Sequence, residues 1–135
     1  MPSLTCTVVT PEATALDRQV DFVVVPLYDG ELGIGAGHSP LIGRLTFGEL
    51  RLKTGDKVDR YYVGGGFVQV ADNVVSVLTD LAVPATEVDA EAAKAQLTEA
   101  SERQAHSPEL IEIRDRQLAQ ARAQLQVSRR SGARP

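Results

Sequence analysis

Arg60-Tyr61-Tyr62-Val63-Gly64-Gly65-Gly66-Phe67-Val68-Gln69-Val70-Ala71-Asp72-Asn73-Val74-Val75-Ser76-Val77-Leu78-Thr79-Asp80 is the stretch that decides the fold. Its β-branched and aromatic residues come in short runs broken by turn chemistry, which is the signature of strands. We read three of them, Arg60–Gly65, Phe67–Ala71 and Val74–Asp80, with Asp72-Asn73 as a two-residue hairpin turn between the last two. Glycine weakens a strand, so Gly64-Gly65-Gly66 marks a bulge, a wide turn, or a surface against which another backbone packs.

The same pattern extends toward the N-terminus. Leu4–Thr10 and Val20–Pro26 read as strands, with Ala13–Arg18 returning after the Pro11-Glu12 break. Val23-Val24-Val25 is continuous, which suits a strand covered on both faces. Tyr28-Asp29-Gly30 is turn chemistry. From Phe47 onward, Leu50, Leu52 and, after the Thr54-Gly55-Asp56 turn, Val58 are expected on one face, opposite Arg51, Lys53 and Lys57. Many short strands with turns between them imply two stacked antiparallel sheets, a β-sandwich, over residues 1–84.

Residues 85–135 are different in kind, polar and alanine-rich. Asp89 is an expected N-cap for a helix running to about Gln104. His106-Ser107-Pro108 ends it, and Ser107 caps a second helix with Pro108 at its first position. Ile111, Leu118, Ala121 and Leu125 form an apolar stripe on that helix, interrupted by Arg114. The two helices are expected to pair as an antiparallel hairpin, with a disordered tail from about residue 131. The apolar face of the first helix is mostly alanine (Ala92, Ala93, Ala95, Ala100), with Leu97 its one large aliphatic side chain. Burying one leucine contributes roughly 1.5–3 kcal/mol, so the hairpin is expected to dock only shallowly and to be movable by a partner.

Composition narrows the function classes. The net charge is −4 and the pI about 5.1, which argues against general nucleic-acid binding. Charge is uneven: from Arg116 to the end there are five arginines and no acid. The single Cys6 permits no internal disulfide, and one cysteine with two histidines assembles no transition-metal set. No metal and no cofactor is expected. With neither a secretory signal nor an apolar run of about 20 residues, a soluble intracellular protein is expected.

The motifs that suggest catalysis fall short. Gly33-Ile34-Gly35-Ala36-Gly37 lacks the last glycine of the dinucleotide fingerprint, where His38 stands. Gly37-His38-Ser39-Pro40-Leu41 misses the nucleophile elbow by Leu41. A small hydrolase using Ser39 and His38 is therefore a rival reading, as is an independent binding module with a helical tail. His38 is better read as a buried or interfacial side chain bonded to backbone.

Taken in order, Val9-Thr10-Pro11-Glu12, Gly30-Glu31-Leu32-Gly33-Ile34, Gly37-His38-Ser39-Pro40-Leu41, Gly65-Gly66-Phe67, Val75–Asp80, Asp89 and Ala119–Val127 resemble the epsilon subunit of bacterial and chloroplast F-type ATP synthases. The resemblance covers nearly the whole chain. It implies a β-sandwich followed by a helical hairpin, in a non-catalytic central-stalk subunit that couples ion-driven rotation to ATP synthesis. It implies as partners the gamma subunit, the ring of c subunits and, conditionally, the alpha/beta catalytic ring, at the cytoplasmic face of a bacterial plasma membrane. By resemblance Glu31, Leu32, Gly33, Ile34, His38 and Pro40 form the c-ring and gamma contact. Arg116, Arg122, Arg129 and Arg130 belong to a hairpin that can extend and obstruct ATP hydrolysis. Some relatives bind ATP through I/L-D-x-x-R-A at the start of the first helix. Here Val88-Asp89-Ala90-Glu91-Ala92-Ala93 keeps Asp89 but has Ala92 for the arginine, which implies weak or absent ATP binding. Relatives commonly carry proline at the position of Ala36, so this loop is expected to be less rigid.

Overall fold

A computed structural model describes residues 4–102 and 105–132, with the side chains of 129–132 outside that description. The strands are β1 (Leu4–Val9), β2 (Thr14–Val20), β3 (Phe22–Leu27), β4 (Gly30–Ile34), β5 (Leu41–Thr54), β6 (Lys57–Ala71), β7 (Val74–Thr79) and β8 (Ala82–Pro84). A single 3-10 turn, Ala85–Glu87, leads into helices α1 (Ala90–Glu102) and α2 (Pro108–Gly132).

The strands form one hydrogen-bonded sheet in the order β2-β1-β7-β6-β5-β3-β4, with β8 on β6. Its two ends meet: Leu4, Cys6, Val8 and Val20 from one end share a core with Val23, Val25 and Ile34 from the other. The sheet is therefore folded over into a β-sandwich. Polar clamps join the layers where they approach. Arg18 of β2 pairs with Asp59 of β6, the Asp21 amide donates to the Lys53 carbonyl (2.8 Å), and the Gly37 amide donates to Asn73 Oδ1 (2.7 Å).

The hairpin turns follow their residues. Asp72 and Asn73 both have positive φ, 52° and 63°, as a two-residue turn between β6 and β7 requires. Gly55, at φ 61°, turns β5 into β6 and donates its amide to Asp21 Oδ2 (2.6 Å).

Four expectations are corrected. The sandwich is not wholly antiparallel, because β1 runs parallel to β7. A pairing between strands so distant in sequence leaves no mark on the local pattern of either. Gly30–Ile34, absent from the expected strands, is a strand paired to β3. Val58 stands opposite Lys53 and is exposed, so it does not share the inward face of Leu50 and Leu52. Finally, the runs on either side of Gly64–Gly66 are one strand, which starts three residues earlier, at Lys57.

The glycines explain that last point. Along β5 the core residues are Leu45, then Leu50 and Leu52; along β6 they are Val63, then Val68 and Val70. In both strands the inward set changes from odd to even positions near Phe47 and Gly64–Gly66. The β5–β6 register nevertheless keeps one offset from Leu41↔Val70 to Thr54↔Lys57, with Thr46 and Gly65 left out of the pairing. Both long strands therefore switch faces together at one corner of the sandwich. Gly65 and Gly66 hold φ of 92° and 123° there, a backbone that side chains rarely adopt. A Cβ at Gly66 would collide with the Leu78 carbonyl. The close backbone approach that the glycines serve is to their own chain.

Both helix caps form as expected. The Ala92 amide donates to Asp89 Oδ1 (3.0 Å) and the Leu110 amide to Ser107 Oγ (3.2 Å). Ala93 and Ala100 of α1 and Ala121 and Leu125 of α2 are buried, and α1 packs along α2 as a hairpin. Ala92, Ala95 and Ile111 are exposed. The helix that lies across β5 and β6 is α2, so the expectation that helix one supplies the docking face is corrected. α2 continues to Gly132, through the point where a disordered tail is expected; residues 133–135 lie outside the described ones.

Candidate docking surfaces

Among the described residues β4 is the last strand in the sheet order and so presents an open edge. The residues expected at a partner contact divide by burial. Ile34 is fully buried in the core and Leu32 packs half-buried against it. Glu31, Gly33 and Pro40 are exposed, and His38 is half-buried. Gly33 lies beneath the Phe22 ring, which would stand 2.6 Å from a Cβ at this position. His38 Nδ1 is 2.7 Å from the Ser39 carbonyl oxygen, which is the backbone bonding expected of it. The imidazole is thus engaged with backbone rather than with the Ser39 hydroxyl, and the hydrolase reading gains no geometry.

Glu31 belongs to a chain of charges. Arg51 donates to both Glu31 carboxylate oxygens (3.0 and 3.1 Å) and to Glu49 Oε1 (2.9 Å). Arg60 donates to the same Glu49 oxygen (3.0 Å). Hydrogen bonding to Glu31, opposed by partial burial and helped by Glu49, raises the Arg51 guanidinium above its ordinary pKa. Glu49 is 5% exposed although it faces outward from the sandwich. Its cross-strand neighbour Tyr62, on the same face, is 1% exposed.

Both are covered by α2. Tyr62, Ala85 and Val127 form a small apolar cluster, flanked by Phe47, Val88 and Ala123. Burial pushes the Tyr62 phenol above its usual pKa, and the nearby Gln124 and Gln120 side chains oppose the shift. Among the described residues its hydroxyl completes no hydrogen bond of good geometry. Tyr62 and Val127 are the cluster's most deeply buried members, and fully burying a valine-sized side chain contributes roughly 1.5–3 kcal/mol. The dock is made by a different helix from the one expected.

No sequence motif marks Glu49 or Tyr62. The available signal is Tyr61-Tyr62-Val63, a continuous apolar run in an otherwise alternating strand: Tyr61 packs against the sandwich core and Tyr62 beneath the helix.

Of the basic residues, Arg116 and Arg122 are exposed on α2, and Arg116 lines an open cleft of about 820 Å³ over the glycine corner. The side chains of Arg129 and Arg130 lie outside the described residues. Asp89 borders a smaller cavity of about 250 Å³ with Glu87, Tyr62, Ala92 and Gln124. The described charged residues on its wall are two acids and no base, a poor environment for nucleotide phosphates. The Asp89 carboxylate is already engaged in capping α1. No group of three or more potential metal ligands occurs among the described residues, and none of their helices is long and apolar enough to cross a membrane.

These features define a class: a β-sandwich with an open edge among the described residues, carrying a helical hairpin docked on one face. Residues 3–85 match the family model described as ATP synthase, Delta/Epsilon chain, beta-sandwich domain. The chain is 49% identical over 127 residues to the ATP synthase epsilon chain of Rhodopirellula baltica, covering 94% of this chain and 99% of that one. It is 39% identical over 126 residues to the corresponding chain of Desulfitobacterium hafniense strain Y51, covering 93% and 95%. A chain of the cryo-EM structure of the Euglena gracilis mitochondrial ATP synthase, in its OSCP/F1/c-ring assembly, superposes with a TM-score of 0.83 at 25% identity, covering 99% of this chain and 83% of that one. A chain from the Tetrahymena thermophila mitochondrial ATP synthase central stalk and c-ring shares the fold at a TM-score of 0.75 and 16% identity, covering 93% and 96%. The chain belongs to the ATP synthase epsilon chain family.

Proposed function

We propose that this chain is a central-stalk subunit of a rotary ATP synthase. Its sandwich docks on the gamma subunit and the c ring and turns with them, coupling ion-driven rotation to ATP synthesis without making or breaking bonds itself. Membership of the epsilon chain family across nearly the whole chain carries this reading. The Euglena gracilis chain that it resembles was solved within an F1/c-ring assembly, which supports the same partners. The site is peripheral to a membrane, at the cytoplasmic face in a bacterium. The exposed members of the β4 edge, Glu31, Gly33 and Pro40, with His38 beside them, contact the ring and gamma; Leu32 and Ile34 brace that edge from within.

The hairpin acts as a conditional brake. Its dock is held by few side chains, so a partner with a few kcal/mol of preference for the extended form can redistribute it. The basic residues of α2 then meet acidic segments of the alpha/beta ring. Deletion of residues 85–135, followed by assay of ATP hydrolysis in the assembled complex, tests this. Faster hydrolysis is expected, and unchanged hydrolysis counts against the brake.

A further inference from the structure

The chain of charges beneath α2 links two surfaces that are otherwise separate. Glu31, 49% exposed, lies on the open β4 edge, and Glu49, 4% exposed at its side chain, lies under the helix. Arg51 bridges them with three hydrogen bonds. Glu31 and Glu49 border one cavity of about 110 Å³ together with Gln126 and Val127 of α2. Glu49 faces outward from the sandwich, so the docked helix is what keeps water from it. A buried carboxylate is tolerated only while its counter-charges are held in place, and Arg51 is held from its other side by Glu31.

We propose that Glu31–Arg51–Glu49 couples occupancy of the β4 edge to docking of the hairpin. A lysine or arginine of a neighbouring protein that engages Glu31 releases the two-point hold on Arg51. Glu49 still accepts from Arg60 (3.0 Å), but a positioned Arg51 no longer shares its charge beneath α2, and the docked state weakens. By reciprocity of linked equilibria, an undocked hairpin makes Glu31 more available to that partner. This rests on the reading of the hairpin as an arm that can leave the sandwich.

Amide hydrogen exchange of residues 121–127 in the full chain tests the coupling, with Glu31→Gln reproducing the loss of charge at the edge. Exchange is expected to accelerate about 1.5- to fivefold, the range of a partly exposed ion pair, while the β6 core amides Val68 and Val70 keep their rates. In an Arg51→Met background, Glu31→Gln is expected to add nothing. In Glu49→Met, which replaces the buried anion by an apolar side chain, it is again expected to have no effect. Unchanged exchange in Glu31→Gln overturns the coupling, and so does an acceleration that persists without Arg51. Exchange of 121–127 only together with the β6 core overturns the detachable arm itself, and the coupling with it.

Discussion

Val127→Ala isolates the apolar part of the hairpin dock. Val127 is 2% exposed and packs with Tyr62 and Ala85, while the core of the sandwich lies on the other face of β5 and β6. The substitution removes two methyl-sized groups at roughly 0.8 kcal/mol each, so the docked hairpin should lose about 1.6 kcal/mol, or about fifteenfold in its equilibrium with the undocked form. Limited trypsin digestion reads this out, because cleavage after Arg116 and Arg122 requires local opening of α2 and follows the open population when reclosing is fast. Cleavage at both sites should accelerate by about that factor, while the urea midpoint of the sandwich stays unchanged. Unaltered cleavage would refute the assignment of the dock to this cluster. A sandwich midpoint that falls in step with cleavage would show that the hairpin and sandwich open as one unit.

Gly66→Ala places a side chain at φ 123° against the Leu78 carbonyl; a loss of about 2–4 kcal/mol in urea denaturation is expected, and an unchanged midpoint would contradict the corner geometry. The Cys6 thiol is pushed from 9.0 up to about 12, chiefly by burial. Its folded pKa exceeds its unfolded one, so the associated stability is intact below pH 9 and is lost as pH rises toward 12. At one pH unit above the unfolded value the loss is about 1.4 kcal/mol, and Cys6→Ala should flatten this alkaline slope; an equal slope in the variant would assign it elsewhere. Calorimetry with ATP should detect little or no binding, given two acids on the cavity beside Asp89 and alanine at 92; a micromolar dissociation constant would reverse that conclusion.

Where the chain alternates with period two and turns on glycine or Asp-Asn, the strands were legible, because backbone conformation and burial there are local properties. Both helix caps were legible for the same reason. At Gly64–Gly66 the alternation changes phase, so a period-based reading divides one strand into two even though its pairing to β5 never slips. The parallel β1–β7 pair was hidden because strand direction is set by topology rather than by either segment. In the sequence Glu49 is one acid in an alternating strand; only the position of α2, a tertiary fact, buries it. The choice of α2 over α1 as the docking helix has a similar cause. Alanine is compatible with a helix–helix seam and with a sheet contact alike, and Val127 lies off the expected stripe of Ile111, Leu118, Ala121 and Leu125. The β4 edge was visible as a motif, but which of its side chains point inward required the register with β3.

Association of the purified full-length chain with the gamma subunit and the c ring is the most direct measure of the central claim. Co-purification of the wild-type chain in a stoichiometric complex is predicted, with weakened retention of the ring when Glu31 and Pro40 are replaced by alanine. A correctly folded wild-type chain that elutes alone in the presence of both partners would contradict the assignment of this sandwich to the rotor.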